Sequence, residues 1–78
     1  MTEQEIQQMI EQSMNCQSVE VAGDGYHFEA KVVSNEFAGK RPVARQQMVY
    51  AVLQERIASG ELHAISLKTL TEEEASQL

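Results

Sequence analysis

The sequence predicts an α+β fold: a three-stranded mixed sheet with helices packed on one face. Three observations carry that class. A long apolar-periodic stretch begins at Pro42 and stops at Gly60. Two short alternating runs flank a Gly23-Asp24-Gly25 turn. A third alternating run, Leu62 to Lys68, follows the glycine stop. A long helix between the second and third strands makes them parallel neighbours through a right-handed crossover. The expected order is α–β–β–(turn)–α–β–α.

The first helix starts at a capping box. In Thr2-Glu3-Gln4-Glu5 the Thr2 hydroxyl takes the N–H of Glu5, whose side chain reaches back. Ile6, Met9, Ile10 and Met14 then repeat at helical spacing, and Asn15 ends the segment. Cys16 reads as a small, partly buried hydrophobe. The first strand, Ser18 to Val21, puts Val19 and Val21 on one face and Glu20 on the other. The glycine turn joins it to an antiparallel partner. That second strand, Tyr26 to Val33, alternates Phe28, Ala30 and Val32 against His27, Glu29 and Lys31. Ser34 to Lys40 is a loop with one helical turn around Phe37.

Pro42 suits the first helical position, where its missing N–H has no intrahelical partner to lose. It also pushes Arg41 out of the α region and onto the N-cap. Met48, Val49, Val52, Leu53 and Ile57 form the buried stripe, and Gly60 supplies a left-handed stop. Met48 and Tyr50 read as packing residues. A helix of about 17 residues is roughly 25 Å long, enough to cover a small sheet end to end. The third strand follows. Thr71-Glu72-Glu73-Glu74 is a second capping box opening a last helix of a turn or two.

Seventy-eight residues make one domain, 1–78. No run of 18 apolar residues and no basic-then-apolar leader is present, so no membrane role is expected. A single cysteine makes no internal disulfide, which fits a reducing compartment. The net charge of −6 argues against holding nucleic acid by bulk attraction. Its distribution says more. Residues 1–30 hold six acidic and no basic side chains, and every basic residue except Lys68 lies between 31 and 56. No carboxylate pair, nucleophile–base set or phosphate loop is evident, so no enzymatic activity is expected.

Two groups of side chains remain as candidate sites. If strands two and three are parallel neighbours, His27 and His63 start adjacent strands about 4.8 Å apart. Both imidazoles are then in reach of one metal or small cluster. The alternative is two ordinary histidines, one solvated and one hydrogen-bonded at a strand start. Lys40, Arg41 and Arg45 gather at the start of the central helix, where exposed N–H groups favour an anion. The anion is a glutathione carboxylate, an acidic partner patch or a nucleic-acid phosphate. The alternative is a solvated basic end with Arg45 paired to an acid such as Glu36.

Three blocks resemble the BolA family: Phe37-Ala38-Gly39-Lys40, Val43 to Tyr50 (Val-Ala-Arg-Gln-Gln-Met-Val-Tyr), and Leu62 to Thr71 (Leu-His-Ala-Ile-Ser-Leu-Lys-Thr-Leu-Thr). The turn from Gly23 to Phe28 is most similar to the bacterial IbaG branch. The tail departs, since family members usually carry Thr-Pro-x-x-Trp where this chain has Thr71-Glu72-Glu73-Glu74-Ala75. The resemblance implies an α–β–β–α–α–β–α fold related to the type II KH arrangement. It implies a cytoplasmic partner of monothiol glutaredoxins in iron–sulfur cluster handling, iron regulation and stress response. There His63 ligates a [2Fe–2S] cluster, His27 matches the position of a second ligand, and the glutaredoxin with its glutathione supplies the sulfur. Clusters of this kind want thiolates, and Cys16 lies away from the histidine edge. Some members are also treated as nucleic-acid-binding regulators. A KH-type G-x-x-G clamp is not met, because Gly39-Lys40-Arg41-Pro42 lacks the second glycine. Alone, the chain is expected as a monomer or weak homodimer.

Overall fold

The computed structural model describes residues 1–24 and 26–78; Gly25, the last residue of the expected turn, lies outside them. The elements are α1 (Glu3–Ser13), β1 (Ser18–Gly23), β2 (His27–Val33), a 3-10 turn (Asn35–Phe37), α2 (Pro42–Ala58), β3 (Ala64–Leu70) and α3 (Glu72–Ser76). The sheet order is β1-β2-β3, with β1 antiparallel and β3 parallel to β2. The mixed sheet and the crossover through α2 are as the sequence predicts.

Both capping boxes form, Thr2 with Glu5 and Thr71 with Glu74. Pro42 opens α2 with Arg41 at its N-cap, and Gly60 takes φ +84° just past the end. Ile6 and Ile10 of α1 and Val49 and Leu53 of α2 meet Val19, Phe28, Val32 and Ile65 from the sheet. Glu20, Glu29, Ser66 and Lys68 stay exposed on the other face. The core is therefore on one side of the sheet only.

Several expectations change in detail: β2 begins at His27 rather than Tyr26, and β3 runs on past Lys68 to Leu70. β1 continues two residues beyond Val21, to Gly23. Its partner there is Phe28, and a Cβ on Gly23 would come within 2.4 Å of the His27 carbonyl oxygen and 2.6 Å of the Phe28 ring. β3 begins at Ala64 rather than Leu62. The Leu62 N–H donates to the Arg56 carbonyl at 3.0 Å, closing the helix end, while its side chain is buried in the core. Ile57, expected in the buried stripe, is 38% exposed. Two steps of four residues from Val49 turn a helix about 80° past whole turns, carrying Ile57 off the sheet side.

One junction fixes an end of the sheet, and a row of bonds from α2 runs along its β3 edge. Ser34, fully buried after β2, donates from Oγ to the Asn15 carbonyl at 2.6 Å and from its N–H to the Leu70 carbonyl at 2.8 Å. Along β3, the carbonyls of Ile65, Leu67 and Thr69 accept from Tyr50 Oη, Gln46 Nε2 and an Arg45 guanidinium nitrogen of α2. These side chains occupy carbonyls that an added strand would need. Among the described residues, no helix is long and apolar enough to cross a membrane.

Candidate functional site

The histidines lie where the parallel pairing puts them. His27, the first residue of β2, is in register with Ala64, and His63 immediately precedes it. Both are exposed. Alternation sets His27 with Glu29 on the open face, because Phe28 and Ala30 between and beyond them are buried. The two histidines thus share one edge of the sheet at neighbouring positions. Among the described residues neither imidazole makes a hydrogen bond, and no group of three or more His, Cys, Asp or Glu side chains is assembled for a metal.

Two residues read from the sequence as turn and strand, and not as site residues, build this edge. Asp24 Oδ1 accepts the N–H groups of Tyr26 and His27, each at 2.9 Å, and fixes the entry into β2. Those bonds, that from His27 foremost, hold the Asp24 carboxyl below the usual carboxylate range. Tyr26, 71% exposed, stacks on His63 with ring centroids 5.1 Å apart and planes 12° from parallel. One face of the His63 imidazole is therefore covered. Asp24 was legible as a turn residue that bonds its own backbone. The stack required the strand register as well.

The basic residues lie at the other end of β3. Arg45, whose side chain is only 12% exposed, forms a two-point pair with Glu74 at 2.6 and 3.2 Å. Its Nε donates to the Lys40 carbonyl at 2.8 Å. The acid paired with Arg45 is thus Glu74 and not Glu36, which accepts instead from the Asn15 N–H. Arg45 pulls the Glu74 carboxyl down to about 2, helped by the Thr71 N–H. Lys40 and Arg41 remain exposed. Because Arg45 also reaches the Thr69 carbonyl, this end is about 20 Å along the strand from His63. One small ligand cannot bridge the two groups.

Cys16 is likewise remote from the histidines. It lies between α1 and β1, whose first residue pairs with Val33 at the far end of β2. Burial, then Glu36 and Glu11, push its thiol up. It does not supply a thiolate at the histidine edge.

Fold and edge together define a small α+β protein with an exposed pair of histidines at the strand starts and a half-buried charge pair at the opposite end. The chain belongs to the BolA-like protein family, whose model matches residues 3–74. It is 41% identical over 71 residues to the acid stress protein IbaG of Escherichia coli K12, covering 91% of this chain and 84% of that protein. It is 41% identical over 56 residues to the Vibrio cholerae DNA-binding transcriptional regulator BolA, covering 72% and 52%. The structure of a bolA protein homologue from Coxiella burnetii is similar at a TM-score of 0.81, with 38% identity and 97% of each chain covered.

Proposed function

We propose that this protein binds a monothiol glutaredoxin and contributes His63, with His27, to a [2Fe–2S] cluster shared between the two proteins. Its role is then cluster trafficking or iron regulation in a reducing, cytoplasmic setting. The observation that carries the reading is the pairing of His27 with Ala64, which brings both exposed histidines to one edge of the sheet. The donor set fits half of a site. It offers two imidazole nitrogens and no thiolate, so the glutaredoxin cysteine and its glutathione supply the sulfur. When bound, the cluster supplies one-electron redox chemistry or is itself the cargo passed on. Tyr26 limits the swing of the His63 ring, and Asp24 holds the backbone that carries His27.

The test is titration of the chain into cluster-loaded glutaredoxin, followed by visible circular dichroism. The spectrum changes up to equimolar mixing, His63→Ala abolishes the change and His27→Ala weakens it. An unchanged spectrum at equimolar mixing removes the reading.

A second reading has its own support: exposed Lys40 and Arg41 beside the start of α2, and a relative named as a DNA-binding regulator. The protein would then hold duplex DNA through phosphates, with affinity falling steeply in salt and weakened by Arg41→Ala. The pairing of Arg45 with Glu74 and the net charge of −6 make it the weaker of the two.

A further inference from the structure

The outward side of α2 lacks the charges expected on a solvent-facing helix. Val43-Ala44, Tyr50-Ala51 and Ile57-Ala58 recur every seven residues, with Gln47 and Gln54 between them. Val43, Tyr50 and Ile57 are the exposed large apolar residues of the helix, and Gln47, Ala51, Gln54 and Ala58 are exposed beside them. None of these side chains is charged. A seven-residue repeat on a helix surface matches another helix crossing at a shallow angle. A strand is not the occupant of this side, because α2 side chains already bond the carbonyls of Ile65, Leu67 and Thr69.

We propose that this face pairs with the same face of a second copy of the chain, α2 against α2 and antiparallel, about a two-fold axis between Tyr50 and Ala51. The pattern is self-complementary about that point. Val43 meets Ala58 of the second copy, Ala44 meets Ile57, Gln47 meets Gln54 and Tyr50 meets Ala51. Each large apolar residue opposes an alanine, and the two glutamine pairs can exchange amide hydrogen bonds. Just beyond the helix, Glu61 is already paired with Arg56 of its own chain at 3.0 Å, so no like charges are left facing each other at that end of the seam. A parallel pairing would stack tyrosine on tyrosine, leave gaps between alanines and set Lys40 against Lys40. It would also align the two helix dipoles unfavourably. Tyr50 is already held in place by its hydroxyl bond to Ile65.

The seam is small. A helix face roughly 25 Å long and 10 Å wide presents far less than the about 800 Å² per partner of a stable complex. The dimer is therefore weak, with a dissociation constant on the order of 0.1–1 mM. Sedimentation of the full chain from about 10 µM to about 1 mM reads it directly. The mean mass climbs from 8.7 kDa toward twice that value. Ala51→Glu brings two carboxylates together at the axis and weakens association by about tenfold or more. Ala51 is exposed, so far-ultraviolet circular dichroism stays unchanged. In a Cys16→Ser background, mixing Gln47→Cys with Gln54→Cys chains under mild oxidation yields mainly the mixed disulfide. Three results would overturn the proposal: a monomer mass at every concentration, self-disulfides outweighing the mixed one, or association indifferent to Ala51→Glu. So would Ala51→Glu weakening only glutaredoxin binding, which would assign the face to a different protein.

Discussion

The two ends of β3 are built in contrasting ways. At its C-terminal end several polar side chains have internal partners. Arg45 is shared among Glu74, Lys40 and Thr69, Ser34 ties the α1–β1 connection to Leu70, and the Asn35 side chain accepts from Glu72. At the N-terminal end the imidazoles of His27 and His63 are exposed; Asp24 bonds the His27 backbone N–H and the Tyr26 ring lies against His63. Side chains with internal partners have little bonding capacity left for a ligand; unpaired ones at a fixed edge do. The contrast separates an end whose side chains hold one another from an end whose two histidines are left exposed.

The largest expected effect tests the structural end. Phe37, fully buried in the turn after β2, should cost about 3–5 kcal/mol when changed to Ala. A domain of this size is stable by only about 4–12 kcal/mol, so the urea midpoint of Phe37→Ala falls sharply. Ser34→Ala comes next, at about 1–3 kcal/mol in the same measurement, because the buried hydroxyl both donates to the Asn15 carbonyl and accepts from the Glu36 N–H. If either change proves smaller than removing a histidine at the opposite edge, the division is wrong.

The third expectation is a pH dependence. Folding lowers the Glu74 carboxyl from 4.5 to about 2, chiefly through Arg45. A depressed carboxylate stabilises the fold above its unfolded value, and that stabilisation fades as pH falls from about 4.5 toward about 2. Glu74→Gln keeps an amide for the capping box and removes the charge. The variant should therefore be less stable than the parent at neutral pH, and the gap should close on acidification through that window. A gap constant with pH would mean that packing rather than charge holds α3.

Much of the fold was legible because it rests on local signals. Pro42 and Gly60 bound α2 by backbone chemistry that needs no tertiary context, and alternation around Asp24 defines the hairpin. The parallel pairing followed from the length of α2 alone, and it set His27 and His63 on one edge. What could not be read depends on rotation and distant partners. Ile57 fits the stripe by spacing and leaves it by accumulated twist. Arg45 finds Glu74, well beyond local reach in sequence, in the very tail where the family pattern breaks off.

The smallest effect is the sharpest test of the binding end. Tyr26 and His63 stack in parallel planes at an exposed position. Aromatic pairs are worth about 0.5–1.5 kcal/mol beyond their burial, and solvent on both sides puts this one at the low end. A double-mutant cycle on urea unfolding, using Tyr26→Leu, His63→Ala and the pair, should give a coupling of about 0.5 kcal/mol. His63→Ala alone should change stability by no more than about 0.5 kcal/mol. The same Tyr26→Leu chain should still change the spectrum of cluster-loaded glutaredoxin, but need a higher concentration to do so, because a ring free to turn must be ordered on binding. A coupling near 2 kcal/mol would instead make the stack a structural element, and His63 would then belong with Ser34 and Phe37 among the residues that support the fold.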